Sequence, residues 1–325
     1  MQFPELDLPL TTAGASEDRG ALVVLVGPTA VGKTELAIEL ALRLSGEIVS
    51  ADSRLFYRGM DIGTAKPSIA DRHGIPHHLI DIADPDEPLS LAVFQRLAAQ
   101  AILQIQACGR LPILVGGTGQ YIRAVIQGWA VPPVEPDPQL RAALEAWEKQ
   151  IGKDGLHARL ALLDPQAAGS IDSRNVRRTI RALEVILTTG RPFSAQRSSG
   201  LAPYRFIMIG LTRPRQELYT RIDTRIDDML QAGFVQEVQL LLARGYSPDL
   251  PTLSAIGYRE IIAYLFGRLP LEEAATQMKR QTRIFVRRQA NWFKPDDPHI
   301  HWFNAGQEDT LSRIESLILS WLSGR

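Results

Sequence analysis

Cysteine is nearly missing from this chain of 325 residues. Cys108 stands alone, so no internal disulfide can form and no Cys-rich zinc framework exists, which suits a reducing compartment. Net charge is missing as well. The 36 Lys and Arg balance 36 Asp and Glu, so no global field draws the molecule to a polyanion, and any polyanion site must be a local concentration of cations. Long apolar runs are also lacking. Those present are strand-sized, such as "ALVVLV", well short of the ~20 residues that span a bilayer. Residues 1–20 have neither the basic start and apolar run of a secretory signal nor the acid-poor composition of a transit peptide. They are expected to form a flexible tail on a soluble, cytoplasmic, monomeric protein without membrane contact. No internal repeat or long low-complexity tract is found.

What is present is an alternation of strand and helix patterns. "ALVVLV" (21–26) is a two-sided apolar run of the kind buried in parallel sheets, and "ELAIELALRL" after it has helical spacing. "EIVSAD" (47–52) predicts a second strand, "SLAVFQRLAAQAILQIQACGR" an amphipathic helix ending at Gly109, and "LPILVGG" a third strand. Four prolines between Pro132 and Pro138 interrupt the rhythm. A helical stretch with Gly and Pro punctuation follows, and "YRFIMIGL" restores the strand pattern. The expected fold class is α/β, a P-loop doubly wound parallel sheet core with a mainly helical insertion domain. Its boundaries are drawn as tail 1–20, core 21–135, helical insertion 136–203, and second part of the core with C-terminal basic helices 204–325.

Between the first strand and its helix lies "GPTAVGKT", comprising Gly27, Pro28, Thr29, Ala30, Val31, Gly32, Lys33 and Thr34. It fits G-x-x-x-x-G-K-[ST] in the strand-loop-helix context that the motif requires. The glycines let backbone N–H groups turn inward, Lys33 adds a charge, Thr34 can reach Mg²⁺, and the helix N-terminus favours an anion. The plain alternative is a glycine turn without a ligand. A nucleotide hydrolase of this type places an Asp at another strand end to hold Mg²⁺, yet "LPILV" runs into Gly116, Gly117 and Thr118, and "YRFIMIGL" into Thr212. Asp52 is the one acid at a predicted strand end. It can take a proton, bind metal through water, or merely cap the next turn. Thr118 in "GGTGQY" is either close to a ligand or simply part of a turn.

Two basic patches stand out in a neutral chain. Arg174, Arg177, Arg178 and Arg181 recur at three- and four-residue spacing. "MKRQTRIFVRRQANWFK" holds Lys279, Arg280, Arg283, Arg287, Arg288 and Lys294 without an acid, interleaved with Phe285, Trp292 and Phe293. Such stripes suit an RNA backbone and unstacked bases, although a charge run is more often a solvated face and helical aromatics are more often core. In "DRHGIPHHLIDIADP", His73 and His77 are four apart, but Gly74 and Pro76 oppose a helix and no thiolate accompanies them, which argues against a metal site.

Taken in order, "GPTAVGKTELA", "IVSADSRLFYRGMDIGTAKP", "HHLIDIADP", "ILVGGTGQY", "RRTIRALEV", "SAIGYRE" and "RRQANWFK" resemble the signatures of the tRNA dimethylallyltransferase family. The likeness runs from Ala21 to about Phe303, with "MDIGTAKP" and "GGTGQY" its most specific parts. The resemblance implies transfer of a dimethylallyl group from dimethylallyl diphosphate to N6 of adenosine 37, beside the anticodon of certain tRNAs, with Mg²⁺ as cofactor. It implies that Gly27 to Thr34 grip the diphosphate, that Asp52 is the general base, and that Thr118 lies near the reacting centre. It also implies contact with the tRNA anticodon stem-loop through Asp52, Ser53, Arg54 and Leu55, through Thr118, and through Arg141, Arg177, Arg178 and Arg181. Gly257, Tyr258, Arg259, Arg287, Arg288, Gln289 and Lys294 belong to the other matching tRNA-contacting stretches. Leu55 stands where many relatives carry Gln, and Asn291 and Lys294 where Thr and Arg are common. Arg221 and Arg225 are further candidates for reaching the diphosphate. A small-metabolite kinase, a prenyltransferase acting on free adenine nucleotides and a non-catalytic RNA-binding protein remain the alternatives.

Overall fold

A computed structural model describes residues 19–87, 89–132, 134, 137–196 and 202–324. The expected tail, apart from Arg19 and Gly20, lies outside them. Six strands form one sheet: β1 (Ala21–Val26), β2 (Gly46–Ser50), β3 (His77–His78), β4 (Leu111–Gly116), β5 (Arg205–Thr212) and β6 (Ile300–Asn304), in the order β3-β2-β4-β1-β5-β6. Every pairing is parallel. All the strands therefore point their carboxyl ends at one edge, where ligands of such sheets bind. β1 lies between β4 and β5, and Leu22 to Val26 are 0% exposed. Burial on both faces is why this strand is apolar throughout rather than alternating.

Helices α1 (Lys33–Arg43), α2 (Leu91–Ala107) and α3 (Gly119–Ile126) follow β1, precede β4 and follow β4 respectively. After the prolines come α4 (Pro138–Leu163), α5 (Pro165–Ser170) and α6 (Val176–Thr189). These three bury a hydrophobic cluster of their own around Leu144, Leu156, Leu160, Ile180 and Leu183, separate from the one built on the sheet. α7 (Arg215–Gln231), α8 (Phe234–Ala243), α9 (Tyr258–Leu265), α10 (Leu271–Gln289) and α11 (Thr310–Leu322) complete the chain. α7 and α8 are separated at Gly233, whose φ of 100° lies in the left-handed region that glycine tolerates. Among the described residues no helix is long and apolar enough to cross a membrane.

Candidate active site

Three loops meet at the carboxyl edge of the sheet: Gly27–Gly32 after β1, Ala51–Leu55 after β2 and Gly117–Thr118 after β4. The Ala51 N–H donates to the Val115 carbonyl at 2.7 Å, holding the exit of β2 against the end of β4. Asp52 is thereby fixed beside Gly116, and its Oδ1 accepts the Arg54 N–H at 3.0 Å, so the turn-capping role is real. That bond uses one oxygen, and the half-buried carboxylate also faces a cleft.

The cleft is partly open to solvent. Lys33, Thr34 and Asp52 supply its charge and hydroxyl, while Ile48, Leu55, Ile80 and Val115 are among its apolar walls. Lys33 Nζ donates to the carbonyls of Gly27 (3.1 Å) and Pro28 (2.8 Å). Burial pushes its pKa down to about 8, against the pull of Asp52. Arginines from the other side brace the loop. Arg221 Nε donates to the Ala30 carbonyl at 2.8 Å and Arg213 Nε to the Val31 carbonyl at 2.9 Å. Arg225, one helical turn beyond Arg221, is shifted downward by burial while Asp52 and Glu35 pull it back up. Lys33, Arg213 and Arg221 thus bond carbonyls of one short loop, and Arg225, which donates to the Thr64 carbonyl, is near enough to act on Lys33; with Arg213 paired to Glu217, the remaining positive field suits an anion.

Gln289, expected at an RNA surface, is instead buried. Its Oε1 accepts the Thr29 N–H at 2.9 Å and its Nε2 donates to the Gly117 carbonyl at 3.2 Å, which links the phosphate loop to the Gly-Gly-Thr turn. Thr118 occupies the N-terminal cap position of α3, yet its hydroxyl makes no capping bond. Trp292 lies against Gly119 with its indole partly exposed, and its carbonyl accepts from Arg123 at 2.9 Å. Tyr121, packed edge-on to Phe94, has a pKa raised to about 12 by burial, with Tyr57 and Asp52 adding to the shift.

The "MDIGTAKP" loop is held by Glu237 on α8. Its carboxylate accepts the N–H groups of Asp61 (2.9 Å), Ile62 (2.6 Å) and Gly63 (3.1 Å), and also the Tyr258 hydroxyl (2.6 Å). Tyr258 is therefore a core residue at 0% exposure, its phenol pKa pushed upward by burial and by Glu237. A Cβ on Gly63 would lie 2.2 Å from the Phe234 ring, which explains the glycine of that signature. Lys66 Nζ donates to the Tyr57 carbonyl and to Asp61 and Asp81, which explains the lysine.

The basic stripes divide. Arg174 precedes α6 and pairs with Asp172, while Arg181 turns inward. Glu184, with a side chain 0% exposed, accepts from Arg141 Nε (2.8 Å) and Nη2 (2.9 Å), from Arg181 Nη1 (2.6 Å) and from the Asp137 N–H (2.8 Å). Burial alone would raise the Glu184 pKa, but these donors outweigh it and hold the carboxyl below its usual range. Arg177 and Arg178 remain exposed. On α10, Lys279 pairs with Asp227 and Arg283 with Asp223, both acids supplied by α7, and Arg283 also lies over the Tyr219 ring. Arg280, Arg287, Arg288 and Lys294 are exposed and carry no ion pair among the described residues.

Of the remaining candidates, Ser53 is half-buried beside Asp52, Arg54 Nη1 donates to the Thr252 carbonyl (3.2 Å), and Leu55 lines the cleft. The Gly257 N–H and the Arg259 guanidinium both donate to Glu260. Sequence reasoning missed Arg213, Glu184, Glu237 and Tyr121. Arg213 was within reach, since it follows the end of β5 as Asp52 follows β2. The two buried glutamates gave no signal, because nothing local marks which acid a fold will enclose.

With this geometry in hand, a family model described as IPP transferase matches residues 55–296. The chain belongs to that family. A tRNA dimethylallyltransferase of Roseiflexus sp. (strain RS-1) is 53% identical over 301 residues, 93% of this chain and 98% of the relative. One from Dehalococcoides mccartyi is 45% identical over 302 residues, covering 93% of each chain. Among solved structures, the full-length tRNA isopentenylpyrophosphate transferase of Bacillus halodurans is similar with a TM-score of 0.71 and 43% identity, over 94% of this chain and 98% of that one. A eukaryotic dimethylallyltransferase described as acting on tRNA reaches a TM-score of 0.80 at 27% identity, over 94% of this chain and 80% of its own. The phosphate loop and Asp52 precede the matched family segment but fall in the same cleft as Leu55 and Pro67 within it.

Proposed function

We propose that this IPP transferase moves a dimethylallyl group from dimethylallyl diphosphate to N6 of adenosine 37 in tRNA and releases diphosphate. The observation that carries the reading is a single cleft with Lys33, Thr34 and Asp52 at a polar side and apolar walls such as Ile48 and Leu55. A charged head with a five-carbon apolar tail matches both parts.

An adenine N6 is a weak nucleophile because its lone pair is delocalised into the ring, so allylic C–O cleavage runs ahead of attack. Charge then gathers on the departing diphosphate. The loop N–H groups and Lys33 stabilise it there, with Arg221 and Arg225 adding positive potential. As N6 bonds to the allylic carbon, Asp52 takes the amine proton and offsets the positive charge that develops on nitrogen. The adenine must leave its stack to enter the cleft, which favours a loop over a duplex. The exposed Arg177, Arg178, Arg287, Arg288 and Lys294 supply phosphate contacts for the anticodon stem-loop, while Arg141 and Arg181 tie α4 to α6 within the insertion through Glu184. A cytoplasmic location is consistent with a tRNA substrate.

Mg²⁺ fits the same cleft. No group of three or more His, Cys, Asp or Glu that could cage a metal occurs among the described residues. The Thr34 hydroxyl and the Asp52 carboxylate, which line the same cleft, are the sparse oxygen set that Mg²⁺ uses when phosphates and water complete its shell. Thr34 would hold the ion, which when bound neutralises charge on the leaving diphosphate.

Replacing Asp52 with Ala tests the assignment. Transfer is expected to disappear while tRNA binding stays largely intact, whereas loss of tRNA affinity with turnover retained would contradict the role of base.

A further inference from the structure

Gln289 ends α10 among the exposed Arg287, Arg288 and Lys294, yet it is only 6% exposed. A buried amide must have both of its polar ends paired. They are, and both partners belong to the candidate active site. Oε1 accepts the Thr29 N–H at 2.9 Å, and Nε2 donates to the Gly117 carbonyl at 3.2 Å. The fit is close: a Cβ on Gly117 would lie 2.3 Å from Nε2 and 3.1 Å from the Gly27 carbonyl oxygen.

What the amide holds is a strained piece of loop. Ala30, next to Thr29, has a φ of 65°, a conformation that a side chain disfavours and that surrounding groups must impose. Gln289 fixes the Thr29 N–H on one side of it, and Arg221 from α7 grips the Ala30 carbonyl at 2.8 Å. The sheet does not reach so far, because the pairing of Val26 with Gly116 sets only where the two loops start. Pro28 has no N–H and Thr29 gives its own to Gln289, so after Gly27 the loop N–H groups left for an anion begin at Ala30. Gly117, the other partner, follows β4, and β4 holds the Asp52 loop through the bond from the Ala51 N–H to the Val115 carbonyl. Gln289 therefore ties the phosphate loop directly to the segment against which Asp52 is fixed.

We infer that Gln289 is a positioning residue for the transfer, one that keeps the phosphate loop in its anion-binding shape and sets its distance from Asp52 and Thr118. This rests on the dimethylallyl transfer proposed above. Gln289 acts through the two backbone groups it bonds and touches neither substrate. Its loss weakens the grip on the diphosphate and misaligns the allylic carbon with the N6 amine, while Lys33 and Asp52 stay in place.

The test uses the full chain, Gln289→Met, which keeps the length and loses both hydrogen bonds, and Gln289→Asn, whose amide is too short to reach both partners. Binding of inorganic diphosphate is measured by calorimetry, and transfer from dimethylallyl diphosphate to an unmodified anticodon stem-loop by single turnover with enzyme and donor saturating. In both variants the dissociation constant for diphosphate should rise about tenfold, the worth of one hydrogen bond of about 1.4 kcal/mol, and the rate constant at saturation should fall by about tenfold or more, with stem-loop affinity kept within about twofold. A merely structural amide would lower the melting temperature, the binding stoichiometry and the single-turnover amplitude, but leave both constants of the folded molecules as in the wild type. That result overturns the inference. Amide hydrogen exchange in the wild type decides if neither variant folds. The Thr29 N–H should be protected in the free protein and unchanged by diphosphate, whereas N–H groups beyond it gain protection when diphosphate binds. A Thr29 N–H that is open in the free protein, or protected only by diphosphate, also overturns the inference. A wild-type chain that transfers nothing from dimethylallyl diphosphate overturns the proposed function instead, and diphosphate binding and exchange still judge the hold of Gln289 on the loop.

Discussion

On the proposed mechanism Asp52 carries two duties that one substitution separates. Its Oδ1 shapes the turn by accepting the Arg54 N–H, a role that an amide oxygen can fill, while only a carboxylate can take the amine proton. Asp52→Asn should therefore keep the fold and tRNA affinity within about twofold and lower the transfer rate by about 10²- to 10⁴-fold, measured by single turnover. Lys33 yields a prediction in pH. Its folded pKa of about 8 lies below the ordinary 10.5, and an anion on the loop pulls it back upward. Diphosphate binding above about pH 8 should take up a proton, visible by calorimetry in buffers of different ionisation enthalpy and absent in Lys33→Met. The sign for stability follows. The folded state releases this proton before the unfolded state does, so the contribution of Lys33 to stability rises with pH between about 8 and 10.5. That both residues line one cleft could be anticipated because their signals are local, a fixed motif after a strand and an acid at a strand end. The structural placement of Gln289 could not. Its role is set by two loops more than 170 residues away that only the fold brings together.

At the scale of elements, the charge runs show where sequence reasoning stops. The α10 stripe is free of acids along the chain, yet α7 supplies Asp223 and Asp227 across the helix interface. The α6 stripe loses Arg181 to Glu184, which Arg141 also grips. Arg177→Ala with Arg178→Ala should leave the melting temperature unchanged and make the salt dependence of tRNA binding shallower by roughly 1.5 in slope. Arg141→Ala should lower the melting temperature, because it strips a bidentate partner from a buried carboxylate. An unchanged salt slope in the first variant would make that face merely solvated. The "MDIGTAKP" signature was recognisable without its reason. Its loop hangs by three backbone N–H groups from Glu237, so Glu237→Ala should cost about 2–4 kcal/mol in denaturant unfolding. Tyr258→Phe, which removes a single donor, should cost only about 1 kcal/mol.

At the scale of the molecule, the parallel sheet was readable from its buried strands, β1, β2, β4 and β5, whose apolar runs are long and bounded by turn residues. The edge strands were not. β3 has two residues and β6 reads "IHWFN", too short or too polar for a periodic signal, and both are strands only because a neighbour pairs with them. What the whole architecture does is gather a phosphate loop, an acid and an apolar wall at one sheet edge, so that carbon rather than phosphorus is transferred. Incubation with dimethylallyl diphosphate labelled in its carbon chain and unmodified tRNA, followed by nucleoside analysis, tests that claim most directly. The label is predicted on N6 of adenosine 37, with diphosphate released and no comparable reaction on AMP. Label absent from adenosine, or equal transfer to free AMP, would contradict the account.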